Sequence, residues 1–75
     1  MTKQKDTDPY LIGLGERISK LMKTKGITQL EMAEKLNTFN TQVRRIQRGE
    51  VNSTILMLRK IAKILDVPVT KLIKD

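Results

Sequence analysis

Apolar residues return every three or four positions through most of the chain, and residues that cap or stop helices separate the runs. The first run, Leu11, Leu14, Ile18, Leu21 and Met22, opens after Asp8 and Pro9, an N-cap followed by a first-turn proline, and closes at Gly26. This spacing predicts helix 1 over about 9–25. Gly13 and Gly15 weaken its first turns by on the order of 1 kcal/mol each against Ala, which would let the start slip to about Leu14. Lys20, Lys23 and Lys25 suit the negative end of the helix dipole, and Gly26 suits the left-handed residue that follows a helix. Residues 1–8 are polar and aperiodic, so a flexible arm is expected there, with one domain over residues 9–75.

Thr28 opens a second, shorter run with Glu31 three residues later, the spacing of a capping box. Leu30, Met32, Ala33 and Leu36 are its expected buried stripe. Asn37, among the non-glycine residues best suited to a left-handed backbone, marks the turn. Helix 3 is expected from about Asn40 to Arg48, burying Val43 and Ile46 and stopping at Gly49. After a loop, Asn52 or Ser53 is expected to cap helix 4, whose buried face is Ile55, Leu58, Ile61, Ala62 and Leu65. Asp66 ends that helix, and Pro68 precedes a last short one over Val69–Lys74 that returns Leu72 to the core. The fold class is all-α: five helices, with no internal repeat or low-complexity tract.

Composition narrows what these helices are for. The 75 residues contain no Cys and no His, so neither disulfides nor the usual zinc ligands staple the core; no metal and no cofactor are expected. Tyr10 and Phe39 are the only aromatic residues, which favours helices over a sandwich or barrel. A formal charge of +7 biases partners towards polyanions, either nucleic acid or an anionic membrane surface. No apolar run approaches the roughly 18 residues of a membrane span, and residues 1–8 lack the apolar segment of a secretory signal, so a cytoplasmic location is the default. A small Ala33, the Asn37 turn and the Val43/Ile46 wedge are what two steeply crossing helices require. Such a pair leaves the start of helix 3 protruding, able to enter a major groove about 12 Å wide.

In this ordered combination, with GITQ at residues 26–29, L-x-x-A at 30–33, R-G at 48–49 and KIAKILDV at 60–67, the sequence resembles the helix-turn-helix family of the lambda and 434 repressors and Cro, the XRE family. The resemblance covers nearly the whole chain from Leu14 and implies a compact lambda-repressor-like domain that binds double-stranded DNA. Carried over by position, it implies base-edge contacts from Asn40, Thr41, Arg44 and Arg45, Arg pairing bidentately with guanine and Asn with adenine. It implies phosphate contacts from Thr28 and Gln29 at the start of helix 2, and from Arg48, Asn52 and Ser53 on the other flank.

The chain departs from the family pattern at four places. Asn37 replaces the usual turn glycine, and Glu50 stands where basic residues are frequent. Phe39 stands where a Ser-like cap is common, so Thr38 or Asn40 is expected to cap helix 3, with Phe39 offering an apolar contact to a thymine methyl group. Met22 and Gln47 replace an Arg and a Glu that form a largely buried ion pair in relatives; losing both charges together leaves none buried unpaired.

The expected function is a sequence-specific transcriptional regulator, a dimeric repressor or controller-type protein, regulated through its concentration because so short a chain has no sensing domain. One small helix reads too few bases alone, so a homodimer is expected, with contacts from Val69 and Ile73, taken as exposed on helix 5. The alternative is a basic protein-interaction or membrane-surface module, or an antitoxin, using the same fold without operator recognition. Against the membrane reading, the basic residues do not line one long amphipathic face. Catalysis has little support: Ser19, Ser53 and the threonines lack a paired base, Glu31 has a capping role, and Gly13 and Gly15 belong to no phosphate loop.

Overall fold

The start of α1, Pro9–Lys25, does not slip: Asp8 caps it by accepting from the Tyr10 N–H at 2.9 Å, and Pro9 occupies the first turn. The computed structural model describes residues 8–73, so residues 1–7 of the expected arm and Lys74 of the last helix lie outside the described residues. Four further helices follow: α2 (Gln29–Leu36), α3 (Asn40–Gln47), α4 (Ile55–Leu65) and α5 (Thr70–Ile73).

One device ends each of the first four helices. Gly26, Asn37, Gly49 and Asp66 take positive φ values of 70°, 59°, 76° and 58°. In each case that residue and the next return N–H bonds to the last turn, as when Asn37 donates to the Glu34 carbonyl at 3.1 Å and Thr38 to that of Ala33 at 2.8 Å. These paired bonds satisfy carbonyls that a helix end would otherwise leave open. The turn at Asn37 is therefore fully hydrogen-bonded although no glycine stands there.

The core gathers one face of every helix: Leu14, Ile18 and Met22 from α1, Met32, Ala33 and Leu36 from α2, Val43 and Ile46 from α3, Leu58, Ile61, Ala62 and Leu65 from α4, and Leu72 from α5. Two expected core positions fall outside it. Leu30 and Ile55 are 56% and 65% exposed, because each lies in the first turn of its helix, ahead of the residues that meet a neighbour.

Helix α1 packs against α3, α4 and α5. Its approach to α3 is so close that it explains Gly15: a Cβ there would lie 2.6 Å from the Ile46 carbonyl oxygen and collide with that of Gln47. At Gly49, a Cβ would meet the Ile12 nitrogen at 2.7 Å. The glycine that weakens α1 as an isolated helix is thus what lets its backbone lie on the end of α3. Two residues further along α1, the Arg17 Nε donates to the Leu72 carbonyl at 2.6 Å and ties α5 to α1.

Candidate nucleic-acid interface

Helix α3 is two-faced. Val43 and Ile46 turn into the core, while Asn40, Thr41, Arg44, Arg45 and Arg48 are exposed, the i, i+1, i+4, i+5, i+8 pattern of one continuous stripe. The five polar residues expected on this face are therefore brought together. Phe39 stands beside them, 79% exposed. It is itself the N-cap, with extended backbone and no side-chain cap hydrogen bond, so neither Thr38 nor Asn40 caps the helix as expected. The backbone turn closes instead through the Phe39 carbonyl, which accepts from the N–H groups of Gln42 and Val43 at 2.9 and 3.2 Å.

The start of α2 flanks this stripe. Both halves of the expected capping box form: the Glu31 N–H donates to Thr28 Oγ1 at 3.1 Å, and the Thr28 N–H donates to Glu31 Oε1 at 2.9 Å. The Thr28 hydroxyl also lies 3.3 Å from that carboxylate, so it is engaged within the protein. Gln29, the first residue of α2, is half-buried, and its side chain donates to Gln47 Oε1 at 2.7 Å across the junction of α2 with the end of α3. Gln47 in turn donates to Met22 Sδ at 3.5 Å. The two residues that replace the family's ion pair are thus in contact, and Gln29 joins them.

Glu50 faces two of the arginines. Its carboxylate lies 4.0 Å from Arg45 Nε and 3.7 Å from Arg48 Nη1, with all three side chains still open to solvent. Pairs this exposed are worth little to the fold. They do place a negative charge beside the stripe.

On the far flank Asn52 is exposed, but the cap of α4 is Thr54, whose Oγ1 accepts from the Met57 N–H at 3.1 Å, not Asn52 or Ser53. Ser53 Oγ is buried and finds no hydrogen-bond partner among the described residues, so its hydroxyl does not face outward as a phosphate contact needs. Val69 and Ile73, expected to be exposed, are half-buried and pack against the core, because α5 is only one turn long and lies flat on it. Ile55 and Leu56, which begin α4, are more open than either, at 65% and 67% exposed. Among the described residues no helix is long and apolar enough to cross a membrane.

A family model described as helix-turn-helix matches residues 18–72. Among solved structures, the chain is similar to the restriction-modification controller protein C.AhdI from Aeromonas hydrophila, with a TM-score of 0.78 and 27% identity over 83% of this chain and 94% of that one. It is similar to SinR, a master regulator for biofilm formation solved in complex with DNA, at a TM-score of 0.74 and 34% identity over 81% of this chain and 98% of that one. For the restriction-modification controller protein C.Esp1396I the TM-score is 0.76 and the identity 32%, over 87% of this chain and 84% of that one. No protein of curated function matches the sequence. The matched span holds the Asn37 turn, the Val43/Ile46 wedge and the exposed stripe of α3, and the chain belongs to the helix-turn-helix family of lambda-repressor and Cro type, whose members are DNA-binding transcription regulators.

Proposed function

We propose that the chain is a dimeric, cytoplasmic repressor or controller-type regulator that recognises one operator by placing α3 in the major groove. The observation that carries this reading is the stripe Asn40, Thr41, Arg44, Arg45 and Arg48, exposed on a helix whose other face is buried. Asn40, Thr41, Arg44 and Arg45 read base edges, and Phe39 meets a thymine methyl group. Gln29 with its backbone N–H, Arg48 and Asn52 hold phosphates, which sets the register without reading sequence, while Thr28, its N–H and hydroxyl both given to Glu31, serves that site as the cap of α2. Two copies present their α3 helices about one turn of DNA apart, roughly 34 Å, with Val69 and Ile73 at the edge of the contact. Residues 9–75 form the binding domain behind a polar N-terminal arm.

Selection from a random duplex pool, followed by competition against bulk duplex at two salt concentrations, tests the reading. A single motif with two related halves should emerge and should outcompete bulk DNA more strongly at the higher salt, where phosphate attraction fades. If low-salt binding is seen and no sequence ever wins, operator recognition is wrong.

A further inference from the structure

The half-buried cluster at the junction of α1, α2 and α3 goes beyond the contacts assigned above. We propose that Gln47 is a positioning residue that presents the amide of Gln29 to a DNA phosphate, with Met22 setting the direction of the hydrogen bonds. This deepens the DNA reading and rests on Gln29 meeting a phosphate.

A primary amide can offer a neighbour either its oxygen or its NH2 group, and here the choice is forced from the core outward. The sulfur of Met22 carries no hydrogen and can only accept. It is also inside the protein, Met22 being 3% exposed. Gln47 therefore gives it Nε2, at 3.5 Å, and turns Oε1 towards α2. That oxygen also only accepts, so Gln29 must present Nε2, which it does at 2.7 Å. One of the two Gln29 amide hydrogens is used in this bond. The second is not used in that bond, and Gln29 is itself the first residue of α2, whose first-turn N–H groups have no acceptor within the helix and suit an anion. The opposite orientation would bring the Gln29 carbonyl oxygen to the same place and repel the phosphate.

The backbone of Gln47 is held as firmly as its side chain. Gly15 admits α1 to within contact of the Ile46 and Gln47 carbonyls, and Met22 stands seven residues further along the same face of α1. One residue of α1 thus seats the Gln47 main chain and another orients its amide. The relay is uncharged throughout, so it adds donors to the phosphate site without adding to its salt dependence.

Phosphate contacts do not depend on sequence, so mixed-sequence duplex at low salt is a sufficient probe, read by fluorescence anisotropy on the full chain. Gln29→Ala should weaken binding by about five- to tenfold, and Gln47→Met by a similar factor. The double variant should be no weaker than Gln29→Ala alone, whereas Arg44→Ala should multiply with either. The slope of affinity against salt should not change. Met22→Leu keeps the core volume and removes only the acceptor; it should give about a twofold loss with an unchanged thermal midpoint, and it carries the test if Gln47→Met unfolds the chain. Full binding by Gln47→Met and Met22→Leu, or losses that multiply between positions 29 and 47, would overturn the relay and leave the Gln29 contact standing. Full binding by Gln29→Ala would overturn that contact and the relay together.

Discussion

At its C-terminal end α3 is pressed against α1 through Gly15, closed by Gly49 lying on the Ile12 backbone, and joined through Gln47 to Gln29 and Met22. Its N-terminal end is open: Phe39 caps it without a side-chain bond and is 79% exposed, and Asn40 and Thr41 face solvent. The same eight-residue helix is thus a fixed strut at one end and an uncommitted surface at the other. Reading a base edge needs both, since side chains must meet the groove at a set height while staying unengaged until DNA arrives. Changes in the backbone packing of the closed end should therefore be felt first in stability, and changes at the open end first in sequence preference.

The largest effect expected is at the closed end. Gly49→Ala puts a methyl group on a residue at φ 76° and 2.7 Å from the Ile12 nitrogen, combining left-handed strain with overpacking against backbone that cannot move aside. The two together should cost roughly 3 kcal/mol, a large share of the 5–15 kcal/mol of a typical small domain. Chemical denaturation measures it directly, and a loss below about 1 kcal/mol would mean that α1 is not seated on this end of α3. Arg45→Ala comes next. It should leave the denaturation midpoint nearly where it was, because its pair with Glu50 is exposed, yet reduce discrimination at one base position by about 1–3 kcal/mol. A uniform loss across all sequences would move Arg45 to the phosphate set.

The contrast also explains what could be read from the sequence. The Thr28–Glu31 box, the Gly26 and Asn37 turns and the Asp8–Pro9 start follow local rules, in which a residue's own neighbours decide its role, and all four form. The exposed stripe of α3 was legible because Val43 and Ile46 fix the phase of so short a helix. Leu30 and Ile55 lie outside the core that the spacing predicts for them, because a helical period says which face a residue is on but not whether another element reaches as far as the first turn. The Gln29–Gln47 bond spans 18 residues and the reason for Gly15 lies on another helix, so both exist only once α1, α2 and α3 are packed. By sequence position Glu50 only stands where basic residues are frequent; its place against Arg45 and Arg48 makes it a competitor for them.

Phe39→Ser separates stability from recognition at the open end. The extended backbone of residue 39 is the conformation an N-cap needs, so a serine hydroxyl could accept the free N–H that phenylalanine leaves, stabilising the helix by about 1 kcal/mol. If Phe39 lies against a thymine methyl, affinity for the selected operator should fall even as the thermal midpoint rises. Both quantities rising together would take Phe39 out of the interface.

The smallest effect expected lies just past the closed end, at Glu50. In free protein its carboxylate stands 4.0 Å from Arg45 and 3.7 Å from Arg48, and DNA must compete with it for both guanidinium groups. Removing the charge by Glu50→Gln should barely alter stability, since exposed pairs contribute about 0–1 kcal/mol. Binding should change in a sequence-dependent way. Mixed-sequence duplex, held through phosphates, should bind about two- to fivefold more tightly at low salt, because the site loses a repulsive charge and Arg48 is released. The operator should gain less, because in that complex Arg45 is directed at a base and the carboxylate beside it helps to hold its orientation. Specificity, the ratio of the two affinities, should therefore fall while both affinities rise. Equal gains for operator and bulk duplex would make Glu50 a plain electrostatic brake and would leave Arg45 to be oriented by α3 alone.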